Sequence, residues 1–210
     1  MQLTNYYWYF QSAIPERICD DIVRYGKQLQ DQMAITGGYN DVKKLNQNQV
    51  KDLKKNRNSN IVWRSDRWIY KEIQPYIYQA NANAGWNFQW DFSESCQFTK
   101  YTKGQFYDWH CDGWDKPYWR ENQNDPSHGK IRKLSVTVTL SDPKDYKGGE
   151  LEFDFRNMDP DKKPNIRKCK EILPKGSLVV FPGFVWHRVC PVKKGTRHSL
   201  VIWNLGWPYK

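Results

Sequence analysis

Apolar side chains in this chain recur at three- and four-residue steps before residue 85 and at two-residue steps after it. The first spacing marks one face of a helix, the second one face of a strand. In PERICDDIVRYGKQLQDQ, Ile18, Ile22, Tyr25 and Leu29 form one stripe, and Pro15 suits a helix first turn. Gly37-Gly38 closes that region. Ser65 can cap a second helix, whose stripe is Ile69, Ile73, Tyr76, Ile77 and Ala80. Pro75 inside it predicts a kink or a break into two helices. Between the two helices, residues 39–60 carry six basic and two acidic groups and few large apolar ones. That composition predicts a mobile surface loop, with a lid role as the second reading.

Beyond Gly85 the segments are short, alternating and rich in β-branched and aromatic residues: WNFQWDF, SCQFTKY, QFYDWHCD, KLSVTVTLS, GELEFDF, KEILP, SLVVFP, VWHRVCPV and RHSLVIWNL. Lys103-Gly104, Asp142-Pro143, Gly148-Gly149, Lys175-Gly176, Pro182-Gly183 and Lys194-Gly195 separate them as turns. Evenly spaced strands of this kind predict a mainly β fold, a β-sandwich or jelly roll with helices packed on one side. Residues 115–131 interrupt the pattern with a polar insertion.

At 210 residues one domain is expected, with 1–85 as helical support and loop and 86–210 as the jelly-roll core. The high aromatic share, 16% with 11 Trp and 13 Tyr, favours a globular protein with aromatic-lined clefts over a disordered chain. There is no apolar stretch of the roughly 20 residues a bilayer span requires. The N-terminus lacks a basic region followed by an apolar run, so a cytoplasmic location is expected. Cys19, Cys96, Cys111, Cys169 and Cys190 are odd in number and form no CxxC pair, which fits reduced thiols. The net charge of +10 is compatible with a solubilising surface or with attraction to a polyanion.

Candidate chemistry lies in QFYDWHCDG. A strand turns alternate residues to one face, so His110 and Asp112 point the same way. His187, far along the chain, lies in another β-like run, VWHRVC. Two imidazoles and a carboxylate can hold one face of an iron(II) ion and leave the rest open. Arg197, ten residues past His187, can grip a carboxylate with its planar fork. An HxD alone has little specificity; the conjunction with His187 and Arg197 carries the reading. His128 lies in the polar insertion, and alternation turns His198 away from the face that Arg197 shares with Trp203.

YTKGQFYDWHCD resembles the Y-x-x-G-x-x-Y/F-x-x-H-x-D region of iron(II)/2-oxoglutarate-dependent oxygenases, and more narrowly their prolyl 4-hydroxylase-like branch. KLSVTVTLSDPKDYKGGELEF and KGSLVVFPGFVWHRVCPVKKGTRHSLVIWNLG continue the likeness, over roughly residues 96–207. The resemblance implies a double-stranded β-helix with His110, Asp112 and His187 as iron ligands. Arg197 would bind the distal carboxylate of 2-oxoglutarate, where many relatives use Lys. Tyr101 would add a hydrogen bond to that carboxylate. Tyr107 would lie near the pocket, with core packing as its other reading. The implied reaction converts 2-oxoglutarate and oxygen to succinate and carbon dioxide while a C–H bond is hydroxylated. L-ascorbate is the expected reductant, and a bacterium or a phage-infected cell the expected setting.

The substrate this implies is a peptide or protein residue, most simply proline, with Trp114, Tyr118 and Trp119 as stacking candidates. Two alternatives stand beside it. A nucleic-acid base demethylase would use the same chemistry with a flipped-base pocket, and its binding would depend on salt. A non-enzymatic jelly-roll binding module would need neither iron nor Arg197.

Overall fold

The computed structural model describes residues 3–34, 45–113, 116–156, 159 and 161–209. Its helices are α1 (Glu16–Lys27), α2 (Gln47–Asn56) and α3 (Arg67–Asn83). Its strands begin with β1 (Trp8–Phe10), β2 (Gln32–Met33), β3 (Arg57–Asn58), β4 (Asn60–Arg64) and β5 (Phe92–Ser93). They continue with β6 (Cys96–Tyr101), β7 (Phe106–His110), β8 (Ile131–Thr139), β9 (Tyr146–Gly148) and β10 (Leu151–Asp154). The last are β11 (Ile166–Lys168), β12 (Leu178–Pro182), β13 (Trp186–Val189), β14 (Val192–Gly195) and β15 (Arg197–Gly206).

The larger sheet runs β1-β12-β8-β15-β6-β4-β2, with β5 also paired to β15. The smaller runs β11-β10-β13-β7-β3, and β9 pairs separately with β14. Every pairing is antiparallel. This is the jelly roll expected from the strand spacing.

The period of two explains how the larger sheet serves two cores. Phe98, Val136, Val138, Leu178, Val180, Leu200 and Ile202 face the helices and pack with Ile22, Ile69, Ile73 and Ile77. Tyr101, Val179 and Phe181 face the other way and pack with Leu151, Phe153 and Val189. Ile69, Ile73 and Ile77 of α3 are fully buried, each worth about 2 kcal/mol of transfer free energy. Gly26 lets α1 approach the sheet closely, since a Cβ there would lie 2.5 Å from the Phe98 ring.

Several expectations need correction. Residues 35–44, with the Gly37-Gly38 stop, lie outside the described residues, but the rest of the expected 39–60 loop is not one: it forms α2 and β3 and leads into β4. Asn46 and Gln49 make a reciprocal capping box at the start of α2, and Arg57 at its end is buried. A polar composition hid this because a short helix with one buried residue, Leu53, has almost no apolar stripe. Pro75 neither breaks nor divides α3, which runs unbroken from Arg67 to Asn83. Its cap position is Asp66, not Ser65. Pro15 is the cap of α1 rather than part of its first turn, and Leu29 lies beyond that helix and half exposed. Segment KEILP is a 3-10 turn over Lys170–Ile172, and WNFQWDF contributes only Phe92, the first residue of β5. The described part of the 115–131 insertion, before β8 begins at Ile131, contains neither helix nor strand, as expected.

Candidate metal centre

His187 of β13 lies directly opposite His110 of β7 in the smaller sheet. Their ring centroids are 4.1 Å apart. Asp112 follows the end of β7, and its backbone N–H and that of Gly113 both donate to the carbonyl of Gly183, each at 2.8 Å. That double anchor ties the HxD segment to the turn before His187. The Asp112 carboxylate then lies 3.6 Å from Nε2 of His110 and 3.5 Å from Nε2 of His187. One donor atom from each of the three residues lies within 4.8 Å of the others. The sequence therefore placed these three correctly on one side, although Asp112 lies just outside the strand.

The protonation pattern suits a cation. Nδ1 of His110 contacts the carbonyl of Asp108 at 2.7 Å, and Nδ1 of His187 that of Val185 at 2.9 Å. A carbonyl only accepts, so each Nδ1 carries the proton and each Nε2 offers a lone pair to the centre. Burial, with His187 adding to it, depresses the His110 imidazole to about 3, so the ring is neutral. For Asp112, burial pushes the pKa up, but the neighbouring His187, His110 and Arg132 outweigh it and hold the group at about 2. The carboxylate is thus ionised, and its buried Oδ2 has no hydrogen-bond partner. A buried anion left in that state is costly unless a cation meets it.

A narrow cavity opens from this trio towards the facing sheet, where it meets Tyr101, Arg197, Ser199 and Trp203. Arg197 opposes Tyr101 across the β15–β6 pair. It is 2% exposed, donates to Oγ of Ser199 at 3.1 Å, and has no carboxylate partner among the described residues. Its guanidinium carbon is 5.6 Å from the Tyr101 ring centroid. Tyr107 stacks on His110 with centroids 3.5 Å apart. Burial raises its phenol to about 12, so Tyr107 keeps its proton. Trp203 shares the inward face of β15, as its parity requires, and its buried indole N–H lacks a partner.

Two further arginines complete the site, and sequence reasoning missed both. Arg57 of β3 donates to Oε1 of Gln97 at 2.6 Å and to Oγ of Ser59 at 2.9 Å. It also lies 4.3 Å from the Tyr107 ring centroid and, among the described residues, has no acidic partner. Arg132 of β8 is paired with Glu94 at 2.5 Å and stacks 3.9 Å from the Trp203 ring centroid. Parity groups Arg132 with Leu134 and Val136, which pack against the helices, so strand alternation gave no signal for it. Nothing in the polar run around Arg57 marked it. His198 is buried on the opposite face, as alternation predicted, stacked on Phe98. His128 is not simply solvated: its Nδ1 accepts from the N–H of Arg120 within the insertion. Trp114 lies outside the described residues; Trp119 is 73% exposed, and Tyr118 sits 6.0 Å from Arg132. Among the described residues no cysteine forms a disulfide, and no helix is long and apolar enough to cross a membrane.

The structure thus defines a jelly roll with a His-Asp-His cluster that could hold a metal ion, and comparison with known proteins gives the family. Residues 96–204 match the model of the 2OG-Fe(II) oxygenase superfamily, and the chain belongs to that family. It is 34% identical over 105 residues to a PKHD-type hydroxylase of Pseudomonas fluorescens, covering 50% of this chain and 40% of that protein. It is equally 34% identical over 107 residues to the PKHD-type hydroxylase YbiX of Escherichia coli O157:H7, covering 50% and 40%. The chain thus spans less than half the length of these curated relatives. Among solved structures it resembles the viral collagen prolyl hydroxylase of Paramecium bursaria Chlorella virus-1 in its 2OG complex, with TM-score 0.63, 21% identity and 97% of both chains covered. It also resembles a Trichoplax adhaerens prolyl hydroxylase in complex with a hypoxia inducible factor peptide fragment, with TM-score 0.66, 15% identity, 96% of this chain and 84% of that one. At these identities the structures establish the shared fold.

Proposed function

We propose that this protein is an iron(II)- and 2-oxoglutarate-dependent dioxygenase that hydroxylates a prolyl or other residue of a peptide or protein. The observation that carries the reading is the pairing of an unsatisfied buried carboxylate with two imidazoles, facing a buried arginine that lacks an anion among the described residues. The trio fits a divalent cation and Arg197 fits a carboxylate, so each supplies what the other's ligand requires. Residues 1–210 act as one dioxygenase domain in this reading.

His110, Asp112 and His187 hold the iron. Arg197 takes the distal carboxylate of 2-oxoglutarate in a bidentate pair, and the Tyr101 hydroxyl adds a hydrogen bond. When bound, ferrous iron and 2-oxoglutarate supply the oxidising power for C–H hydroxylation, with L-ascorbate as the reductant that maintains iron(II). The chain's own work is placement. The carbonyls of Asp108 and Val185 fix both imidazole rings, and the Phe153 and Phe181 side chains around His187 exclude water. Tyr107 holds the plane of His110 by stacking. Arg57 and Trp203 present donors at the cavity wall, suited to the carbonyl oxygens of a peptide. Support for a peptide comes from the prolyl hydroxylases that share the fold, one of them with a bound peptide fragment.

The test is succinate formation from 2-oxoglutarate with iron(II), run against proline-rich peptides and methylated oligonucleotides, with the product read by mass. A gain of one oxygen on a peptide is expected. Loss of a methyl group from an oligonucleotide, with peptides untouched, would replace the peptide reading with base demethylation. No iron-dependent succinate under any condition would sink the oxygenase reading.

A further inference from the structure

A cavity of about 560 Å³ lies outside the metal centre, between the segment that follows α3 and the segment that follows β15. Its walls are Phe88, Trp90, Trp207 and Tyr209, with Asp91 at its edge and Lys133 among the lining residues. Pockets of this size accommodate small ligands. Trp207 and Tyr209 are 60% and 38% exposed, so aromatic faces are open to solvent here.

Lys133 is the unusual element. It is 4% exposed, yet it has no ion pair or hydrogen bond from its ammonium to any described residue. Its close companion is the face of Tyr209, whose ring centroid is 3.5 Å from Nζ. Asp91 does not neutralise it, because Asp91 is engaged at 2.7 Å by Lys130. A β-bulge explains how the lysine comes to be there. On β15, Asn204 pairs with Leu134 and the next residue, Leu205, pairs with Arg132, so Lys133 is the unpaired extra residue. Bulges re-aim side chains. This one leaves Arg132 stacked on the Trp203 ring and delivers Lys133 to the aromatic cavity instead.

We propose that this cavity is a second ligand site, which binds a small anion, carboxylate or phosphate, carried on a flat ring. A nearly buried ammonium without a counter-charge favours an anion, and a charge-assisted contact in such a place is strong. Four aromatic walls favour a planar body that stacks between them. Neither feature depends on iron or on the oxygenase reaction, so the site stands apart from the proposed function.

The experiment is calorimetric titration of the full chain with benzoate, adenosine monophosphate and inorganic phosphate. Wild type, Lys133→Met, Trp207→Ala and Arg197→Gln are compared. Saturable binding is expected for at least one ring-bearing anion: benzoate alone identifies a carboxylate ligand, the nucleotide alone a phosphate ligand. Lys133→Met and Trp207→Ala each weaken it by about tenfold or more, the size of one lost charged hydrogen bond or stacking contact. Arg197→Gln leaves it unchanged. Lys133→Met keeps the stem and removes a desolvated charge, so its melting temperature stays level or rises. Should that variant fail to fold, the exposed Trp207→Ala carries the test alone. No saturable binding by either ring anion, phosphate binding as well as both, or binding lost in Arg197→Gln but kept in the folded variants would each overturn the proposal.

Discussion

Gly149 lies directly against the stem of Arg197: a Cβ on the glycine would sit 3.0 Å from Cδ of the arginine. The same Cβ would be 2.9 Å from Cγ2 of Val192, and the backbone there has φ +67°. The Gly148-Gly149 pair reads in sequence as a turn before a strand; Gly148 ends β9, and both glycines take positive φ before β10 begins at Leu151. Its second glycine also leaves room for the side chain assigned to the co-substrate. Gly149→Ala therefore combines left-handed strain of about 1–2 kcal/mol with a displaced guanidinium. The half-saturating 2-oxoglutarate concentration is expected to rise by about tenfold, with the iron requirement unchanged. A variant that folds and keeps the wild-type requirement would show that the stem moves without consequence.

Arg197→Ala removes the charge altogether. The expected cost is about 2–5 kcal/mol in 2-oxoglutarate affinity, measured as the shift in half-saturation. Unaltered co-substrate dependence would transfer that role to another cation, with Lys193 and Lys194 the first to examine.

Metal removal makes a thermodynamic prediction about the trio. Iron(II) at about a hundredfold its dissociation constant stabilises the folded chain by about 2.7 kcal/mol, and a chelator reverses this. The rise in melting temperature is expected to disappear in His110→Ala, Asp112→Ala and His187→Ala. A metal-dependent rise that survives in two of the three single variants would refute the ligand assignment.

Arg57 is expected to act in coupling, not in co-substrate binding. Its fork holds Ser59 and Gln97 at once while its plane lies over Tyr107, a combination an ammonium cannot reproduce. Arg57→Lys should retain substrate-free succinate formation while peptide hydroxylation falls by about tenfold or more, one lost charged contact. Equal loss of both activities would place the arginine's role in folding instead.

His198 makes the acid limb of stability measurable. Burial, with Lys27, Lys100 and Arg197 nearby, lowers its pKa from 6.5 to about 4. Between those values the unfolded chain binds a proton that the folded chain refuses. Stability from this group is whole above pH 6.5 and is lost as pH falls towards 4, in all roughly 3 kcal/mol. In metal-free protein, His198→Phe should flatten the fall in unfolding free energy across that window. A slope equal to wild type would show that His198 does not titrate as its surroundings imply.

The amino-acid sequence determined the parts of this protein that depend on local period. Strand alternation put Arg197 and Trp203 on one face and His198 on the other, and both assignments hold. The HxD spacing put His110 and Asp112 on one side for the same reason. Tertiary structure decided what local period cannot express. Arg57 is buried because β3 pairs with β7, a contact between residues far apart in sequence, and no stripe foretold it. Pro75 sits within an unbroken α3 because packing of its three isoleucines outweighs a local penalty. Arg132 and Lys133, adjacent in sequence, part ways, one to the Trp203 ring and the other to the aromatic cavity, because a bulge shifts the register between β8 and β15, and register belongs to the pair of strands rather than to either one.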